Sequence, residues 1–279
     1  MINKKYLWDV FKKISLCRNF ELNAFKYLNE KKITIPTYLS AGQESISASL
    51  AVICENIKVK PLIFAQHRCH STYLSFGGSI DKLILELLGS NKGCSYGMGG
   101  SASIHSEKIQ MYGHDGHMGT QVPIGTGACF ESKKPTLVFM GDASAEEDYV
   151  LGALGWASTK KLPMLFIVED NNLSILTEKK IRRNWHIHKV AKSFNMKGYN
   201  TSDNPLEIKK YEKYFFMEPM LLNINTKRLF WHAGAGVDSN KTFDRFKLIK
   251  KSLGPKAEIK DNKNLDKMKR LWKRIYEKQ

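Results

Sequence analysis

Three largely apolar runs in the middle and second half of the chain restrict its fold most strongly. They are PTLVFM at residues 135–140, PMLFIV at 163–168 and PMLLNIN at 219–225. The first two flank SAEEDYVLGALGWASTKK at 144–161, whose apolar spacing predicts a helix. Buried strands that alternate with helices are typical of a parallel sheet covered by helices on both faces. We therefore predict an α/β protein.

Other segments predict further elements of the same domain. Apolar residues recur at helical spacing over 5–30 and 79–89, and SAGQESISASLAVIC at 40–54 predicts another helix. PLIFAQHR at 61–68 begins as a short buried strand. QVPIGTGACF predicts a helix that opens at Pro123.

The chain is strongly basic, and much of the charge lies near its end. The formal net charge is +17 over 279 residues, and residues 241–279 hold 14 Lys and Arg against 5 Asp and Glu. We predict one domain over residues 1–250 and a basic helical tail over 251–279. Zinc-finger spacing and an aromatic RNA-binding strand motif are missing, so we expect no specific nucleic-acid binding. The charge favours docking on an acidic partner protein or simply solubility.

Cysteine usage and hydropathy indicate the compartment. The five cysteines form no C-x-x-C pair, which fits a reducing environment better than a disulfide framework. The first residues are basic without the apolar stretch of a signal peptide, and no run reaches the length of a membrane helix. We expect a cytoplasmic protein with no membrane association.

A glycine- and histidine-rich stretch at residues 89–119 contains few residues that could build a core. It reads GSNKGCSYGMGGSASIHSEKIQMYGHDGHMG. Loops of this length inside a compact domain usually carry function. We therefore expect this stretch to border a site.

Polar residues follow two of the predicted strands at the point where each strand ends. Asp142 comes after the first strand and Asn171 after the second. Carboxyl ends of parallel strands meet at one sheet edge, and a helix start near Ser144 would favour phosphate there. Oxygen ligands beside phosphate suit Mg²⁺ on a diphosphate. The alternative, that Asp142 caps the helix and Asn171 forms a turn, stays open on spacing alone.

The wider sequence resembles the alpha subunit of the thiamine-diphosphate-dependent 2-oxo acid dehydrogenase first component. The resemblance is carried by SAGQESISASLAV, by AQHRCHSTYLSFGGSIDKLILELLGSNKGCSYGMGGSASIH, by MYGHDGHMGTQVPIGTGA and by KKLPMLFIVEDNNLSILT. These blocks occur in order between about residue 5 and residue 236. The resemblance implies a thiamine-diphosphate-binding fold that holds the diphosphate, with Mg²⁺ as the second cofactor.

The resemblance also implies individual roles. The metal ligands would be the side chains of Asp142 and Asn171 and the backbone carbonyl of Leu173. The positions implied to bind the cofactor are His67, Arg68, Gly116, Met118, Asp142, Ala143, Ser144, Asn171, Leu173 and His232.

Three histidines are implied to be catalytic. His70 matches a histidine near the reactive ring of the cofactor, suited to substrate carboxylate binding or proton transfer. His105 lies two residues further along than the corresponding histidine of the family. His232 matches the first histidine of a family segment beside the diphosphate.

This chain departs from the family pattern at several positions. Ala143 replaces the glycine that usually follows the metal-binding aspartate, Gly152 stands where a glutamate is frequent, and His67 replaces tyrosine. The segment after His232, AGAGVDSNKTFDRF, is short and different. In the family this region contacts a lipoyl-bearing partner, so lipoyl transfer is the least supported part of the resemblance.

The resemblance implies an enzyme that is incomplete alone. A beta-type subunit would supply the glutamate that activates the cofactor, in an α2β2 assembly that decarboxylates a 2-oxo acid. A lipoyl-bearing acyltransferase would accept the product. The alternatives are a carboligase or transketolase-like subunit without lipoyl transfer, and a non-catalytic interaction subunit.

Overall fold

A six-stranded, wholly parallel sheet forms the centre of the computed structural model, which describes residues 2–114, 116–230, 232 and 243–279. The strands are β1 Leu62–Phe64, β2 Met111–Tyr112, β3 Thr136–Gly141, β4 Met164–Asp170, β5 Leu173–Ser174, β6 Thr177–Glu178, β7 Lys197–Ser202 and β8 Met220–Asn225. The strand order in the sheet is β2-β1-β3-β4-β8-β7, and β5 and β6 form a separate two-stranded hairpin.

Helices surround this sheet. They are α1 Ile2–Asn29, α2 Glu44–Asn56, α3 His70–Ser75, α4 Ile80–Leu87, α5 Gln121–Ser132, α6 Asp148–Thr159, α7 Lys179–Arg182, α8 Ile187–Ser193, α9 Pro205–Lys209, α10 Arg245–Leu253 and α11 Pro255–Tyr276. Helix α5 begins at Gln121, before the predicted opening at Pro123. Proline is tolerated there because the first N–H groups of a helix have no partner within the helix.

Alternate residues of the central strands enter two separate cores, one on each face of the sheet. Leu137 and Phe139 pack with residues of α1, α2 and α11, whereas Val138 and Met140 pack with residues of α5 and α6. Strand side chains point alternately to the two faces, so a run that is apolar throughout supplies both cores. The predicted α/β fold with helices on both faces is confirmed.

The register of the central strands positions the polar residues that follow them. In the parallel pair β3–β4, Gly141 lies opposite Glu169. Asp142 and Asp170 are the next residues, so they leave the sheet side by side at its carboxyl edge. This is the edge at which ligands of open α/β sheets bind.

The C-terminal helix α11 buries one side against the first helix. The Trp272 ring lies 5.3 Å from the Phe20 ring and 4.9 Å from the Tyr27 ring, and Trp272 is wholly buried. The predicted basic tail is thus helical. The division of the chain at residue 250 stays a prediction.

Glu86 organises the glycine-rich segment that follows helix α4. Its buried carboxylate accepts hydrogen bonds from the backbone N–H groups of Ser95, Gly97, Gly99 and Gly100 at 2.6–3.0 Å. Each of these bonds satisfies a donor that the loop cannot satisfy through regular secondary structure.

Within the residues that the structure describes, no helix combines the length and hydropathy needed to cross a membrane.

Candidate functional site

A cleft of about 260 Å³ opens at the carboxyl edge of β3 and β4. Its lining includes every residue predicted to bind the cofactor except Gly116. The lining residues are Tyr38, Gln66, His67, Arg68, Met118, Gly141, Asp142, Ala143, Ser144, Asn171, Leu173, Ser174, Ile175, Arg228 and His232. Gly116 lies outside this lining and donates its N–H to Nδ1 of His114 at 2.9 Å.

One end of the cleft presents hard oxygen ligands. Asp142 is buried, and Asn171 lies beside Leu173, whose N–H donates to Oδ1 of Asn171 at 3.0 Å. The side-chain amide of Asn171 donates to Oε1 of Gln43 at 3.0 Å, which fixes its orientation. One carboxylate, one amide oxygen and a nearby backbone carbonyl are ligands that suit Mg²⁺. The residues at this end therefore fit the metal that the resemblance implies.

Acidic and basic neighbours shift the pKa of Asp142 in opposite directions. Burial, followed by the charge of the neighbouring Asp170, raises the pKa of the Asp142 carboxyl to about 6. Arg182 opposes this rise, because its guanidinium forms an ion pair with the carboxylate. Asp142 thus lies where a cation stabilises it.

The turn after Asp142 differs from the prediction. Ser144–Glu146 form a 3₁₀ turn, and helix α6 begins only at Asp148. The N–H of Glu146 bonds to the carbonyl of Ala143 at 2.9 Å, so the first turn is tighter than an α-helix. The predicted helix start near Ser144 is wrong, although Ala143 and Ser144 both line the cleft.

Two buried arginines form the other end of the cleft. Nη2 of Arg68 lies 2.9 Å from Nδ1 of His232, and Nη1 of Arg228 lies 3.3 Å from the same nitrogen. Arg68 also donates to the carbonyl of Leu39, and Arg228 to that of Ile175, both at 2.8 Å. Two guanidiniums held together in a buried site suit an anion that carries several oxygens.

A cluster of aromatic rings borders the arginines. The Tyr38 ring lies 4.9 Å from that of His67 and 5.6 Å from that of His232. Burial, followed by the charge of Arg68, holds the pKa of His67 well below its usual value. Nδ1 of His67 has no hydrogen-bond partner among the described residues, so this neutral ring retains hydrogen-bonding capacity at the cleft.

Comparison with protein-family models shows to which family the chain belongs. The family model described as "Dehydrogenase E1 component" matches residues 12–206. The chain belongs to the dehydrogenase E1 component family. The family predicted from the motif blocks is confirmed.

The relatives of this E1 chain include three alpha subunits of pyruvate dehydrogenase E1 components. The mitochondrial protein of Chaetomium thermophilum is 32% identical over 63% of this chain and 43% of its own length. The alpha-1 subunit of Arabidopsis thaliana is 27% identical over 91% of this chain and 67% of its own length. The Rickettsia prowazekii protein is 28% identical over 83% of this chain and 74% of its own length. This E1 chain thus spans less than half of the Chaetomium relative.

Solved structures share the fold of this E1 chain. Two structures of transketolase variants from Pichia stipitis superpose with TM-scores of 0.55 and 0.57, each at 16% identity. They cover 98% and 96% of this chain and 46% of the transketolase chains. The predicted thiamine-diphosphate-binding fold is confirmed at the level of architecture.

The departures at Ala143 and Gly152 are structurally neutral in this E1 chain. Ala143 has φ −72° and ψ −43°, which any L-residue adopts, so the usual glycine is not required there. A Cβ at Gly152 would meet nothing within 4 Å. Residues 233–242 of the altered segment after His232 lie outside the described residues, and its last four residues, Phe243–Phe246, lead into helix α10.

The structure does not bring His70 to the cleft lining of this E1 chain. His70 is wholly buried, its Nδ1 lies 3.0 Å from Glu21 and its Nε2 lies 2.8 Å from Oγ of Ser101. Oγ of Ser101 accepts the N–H of Tyr38 at 2.9 Å, which leaves its own proton for Nε2. His70 therefore links α1 to the glycine-rich segment and to Tyr38, and its catalytic role stays a prediction.

His105 also lies outside the cleft lining. It is exposed, its Nε2 lies 3.2 Å from Oγ of Ser103, and its Nδ1 accepts the N–H of Gly113 at 3.3 Å. Its catalytic role likewise stays a prediction. Of the three histidines, only His232 lines the cleft.

Several residues at the site were not predicted from the sequence. Arg228 lies three residues beyond β8, and its position just after a strand end is the signal that could have indicated it. Gln66 donates from the cleft to the buried carboxyl of Glu169. Burial raises the pKa of Glu169 to about 8, although Gln66 and Arg68 both oppose the rise.

Proposed function

We propose that this chain is the alpha-type subunit of an enzyme that uses thiamine diphosphate and Mg²⁺ to decarboxylate a 2-oxo acid. One observation carries the proposal: a single cleft joins a metal-type oxygen set at Asp142 to a pair of buried arginines, Arg68 and Arg228. A diphosphate that bridges a divalent cation and two guanidiniums would use both ends. When bound, thiamine diphosphate supplies the carbanion stabilisation that such a decarboxylation needs.

The residues of this chain would bind and orient the diphosphate end of the cofactor. Asp142, Asn171 and the Leu173 carbonyl would hold the metal, and Arg68 and Arg228 would neutralise phosphate oxygens. Met118, at the rim, would contact the aminopyrimidine ring. His67 would donate from a neutral ring, because its pKa lies well below the usual value.

A second chain would complete the site. Among the described residues that line the cleft, Asp142 is the single carboxylate, and it belongs to the metal set. The glutamate that activates the cofactor must then come from elsewhere, and a beta-type subunit in an α2β2 assembly would supply it. Exposed apolar side chains near the rim support a covering partner: Met118, Ile175 and Leu176 are 40%, 54% and 52% exposed.

A cytoplasmic location and transfer to a lipoyl-bearing acyltransferase complete the proposal. All five cysteines are free in the structure, and four are buried, which suits a reducing compartment.

Calorimetric titration tests the proposal directly. Thiamine diphosphate is titrated into the chain mixed with a beta-type subunit, first with Mg²⁺ and then with excess EDTA. We expect saturable binding that EDTA abolishes and that Asp142→Ala weakens at least about 100-fold. Asp148→Ala is the matched control, since Asp148 is exposed at the start of α6. Binding unaffected by Asp142→Ala would refute the metal assignment, and no binding by the mixture would refute the proposed function.

A further inference from the structure

The short helix α7 places cations on both carboxylates that follow the central strands. Lys179 forms an ion pair with Asp170, and Arg182 forms one with Asp142. Nη1 of Arg182 also lies 2.5 Å from Oε1 of Glu146. The acidic ends of β3 and β4 are therefore neutralised by one four-residue segment.

Arg182 holds the carboxylate that belongs to the proposed metal set. Its Nη2 contacts Oδ2 of Asp142, and both side chains are largely buried. A guanidinium and a divalent cation on one buried carboxylate would repel each other strongly, because a partly buried site screens charge weakly. The two cations therefore compete for Asp142.

Arg182 has a second acceptor to which it can remain bound. Glu146 lies on the 3₁₀ turn after Asp142, and its side chain is 23% exposed. If Arg182 leaves Asp142, its bond to Glu146 can persist, so the guanidinium need not return to bulk water. Nε of Arg182 has no hydrogen-bond partner among the described residues, so its bonding is incomplete in the present arrangement.

One segment of the chain contains both Arg182, the competing cation, and two of the proposed metal ligands. Asn171 lies two residues before the hairpin β5–β6, Leu173 is the first residue of β5, and α7 follows β6 directly. Ile175, at the turn of this hairpin, has φ +52°, an unfavourable conformation for a β-branched residue. Arg182 and these two ligands therefore belong to one continuous segment, residues 171–182.

We propose that Arg182 is an internal counter-ion of Asp142 that a divalent cation must displace. The cleft would then discriminate against the free metal and admit it together with an anionic ligand. The arginine pair at the other end makes the cleft strongly positive, so a metal ion alone meets repulsion. A metal that arrives with a diphosphate brings the negative charge that offsets it. This proposal rests on the proposed function.

Binding of Mn²⁺ to the chain in the absence of cofactor, followed by electron paramagnetic resonance, tests the competition. Arg182→Met removes the charge and keeps a side chain of similar length. Arg182→Lys keeps the charge, and Lys180→Gln removes an exposed charge from the same helix. We expect Arg182→Met to bind Mn²⁺ at least about tenfold more tightly than the parent. Arg182→Lys and Lys180→Gln should stay within about threefold of the parent.

Several results would overturn the proposal. Equal Mn²⁺ affinity of Arg182→Met and the parent would do so, and so would an equal gain in Lys180→Gln, which would indicate a general charge effect. If Arg182→Met does not fold, judged by circular dichroism, Arg182→Gln takes its place with the same expectation.

A calorimetric arm separates this proposal from the proposed function. With each chain mixed with a beta-type subunit at saturating Mg²⁺, Arg182→Met should bind thiamine diphosphate within about threefold of the parent. A loss above tenfold would instead assign Arg182 to the anion and overturn the competition. A parent that binds no thiamine diphosphate, beside an Arg182→Met variant with tighter Mn²⁺ binding, would refute the proposed function and leave the competition at Asp142 intact.

Discussion

Two arginine–carboxylate clusters in this protein use the same residue types in opposite ways. Arg18 forms two hydrogen bonds to Glu44, at 2.5 and 3.1 Å, and two to Asp244, at 2.7 and 3.0 Å. Arg182 forms one contact each with Asp142 and Glu146. All three members of the first cluster are buried in the core, whereas Glu146 in the second is partly exposed.

The difference shows that an arginine with two hydrogen bonds to each of two carboxylates in the core has a structural role, whereas an arginine with fewer bonds can be displaced by another cation. Burial works against the charged form of Arg18, yet Glu44 and Asp244 raise its pKa above the ordinary value. Asp244 also caps helix α10 by accepting the N–H of Phe246 at 3.1 Å, so this cluster joins α1, α2 and α10. The Arg182 cluster holds a four-residue helix at the edge of a cleft. The first cluster resists displacement of its arginine by another cation, and the second cluster permits it.

The largest expected effect is on stability, through the first cluster. Arg18→Met should lower the free energy of unfolding by about 3–5 kcal/mol, because it leaves two buried carboxylates without their cation. Urea denaturation followed by circular dichroism measures the loss. The triple change Arg18→Met, Glu44→Gln, Asp244→Asn should recover part of it. A loss below about 1 kcal/mol for Arg18→Met would remove the distinction between the clusters.

The next effect concerns the anion end of the cleft. Arg228→Gln should weaken binding of thiamine diphosphate by about 10- to 100-fold, since a charge-assisted bond in a buried site is lost. Calorimetry in the presence of Mg²⁺ checks this. The control is Arg270→Gln, which removes the same charge at an exposed position on α11. Equal weakening by both variants would mean that net charge, and not the arginine pair, attracts the ligand.

A smaller stability effect is expected at the second cluster. Arg182→Met should lower the free energy of unfolding by about 1–2 kcal/mol, less than the loss for Arg18→Met, because its ion pairs are fewer and partly exposed. The same urea experiment measures it. Addition of Mg²⁺ with thiamine diphosphate should restore the parent value. A cost equal to that of Arg18→Met would show that Arg182 is fixed in place and not exchangeable.

The smallest expected effect concerns the buried thiol of Cys17, which forms no ion pair with a cation among the described residues. Burial raises the pKa of the Cys17 thiol, next to Arg18, to about 12 from 9.0. A raised pKa in the folded state means that the unfolded chain releases the proton first, so stability falls as pH rises above 9. Between pH 8 and pH 9.5 the decline due to Cys17 should be roughly 1 kcal/mol. Cys17→Ala should reduce the slope of stability against pH, and an unchanged slope would contradict the assignment.

The central strands were predictable because their signal is local. Each run of apolar residues indicates that both faces of its strand are buried, as in β3, where Thr136–Met140 are all buried. Strand β7 was missed, because Lys197–Ser202 lies at the sheet edge and mixes polar with apolar residues. The 3₁₀ turn at Ser144–Glu146 was missed because it differs from an α-helix by a single shift in hydrogen-bond partner.

The amino-acid sequence alone was enough to predict the parallel sheet, the family and the position of Asp142 and Asn171 at one sheet edge. The sheet and the shared edge follow from hydrophobic periodicity and from the direction in which parallel strands run, whereas the family follows from the resemblance of the motif blocks. The three-dimensional structure was needed to show that Arg182 forms an ion pair with Asp142, that Arg68 and Arg228 both contact His232, and that His70 lies outside the cleft lining. Such contacts join residues up to 164 positions apart (Arg68 and His232), and each depends on side-chain geometry that no local pattern encodes.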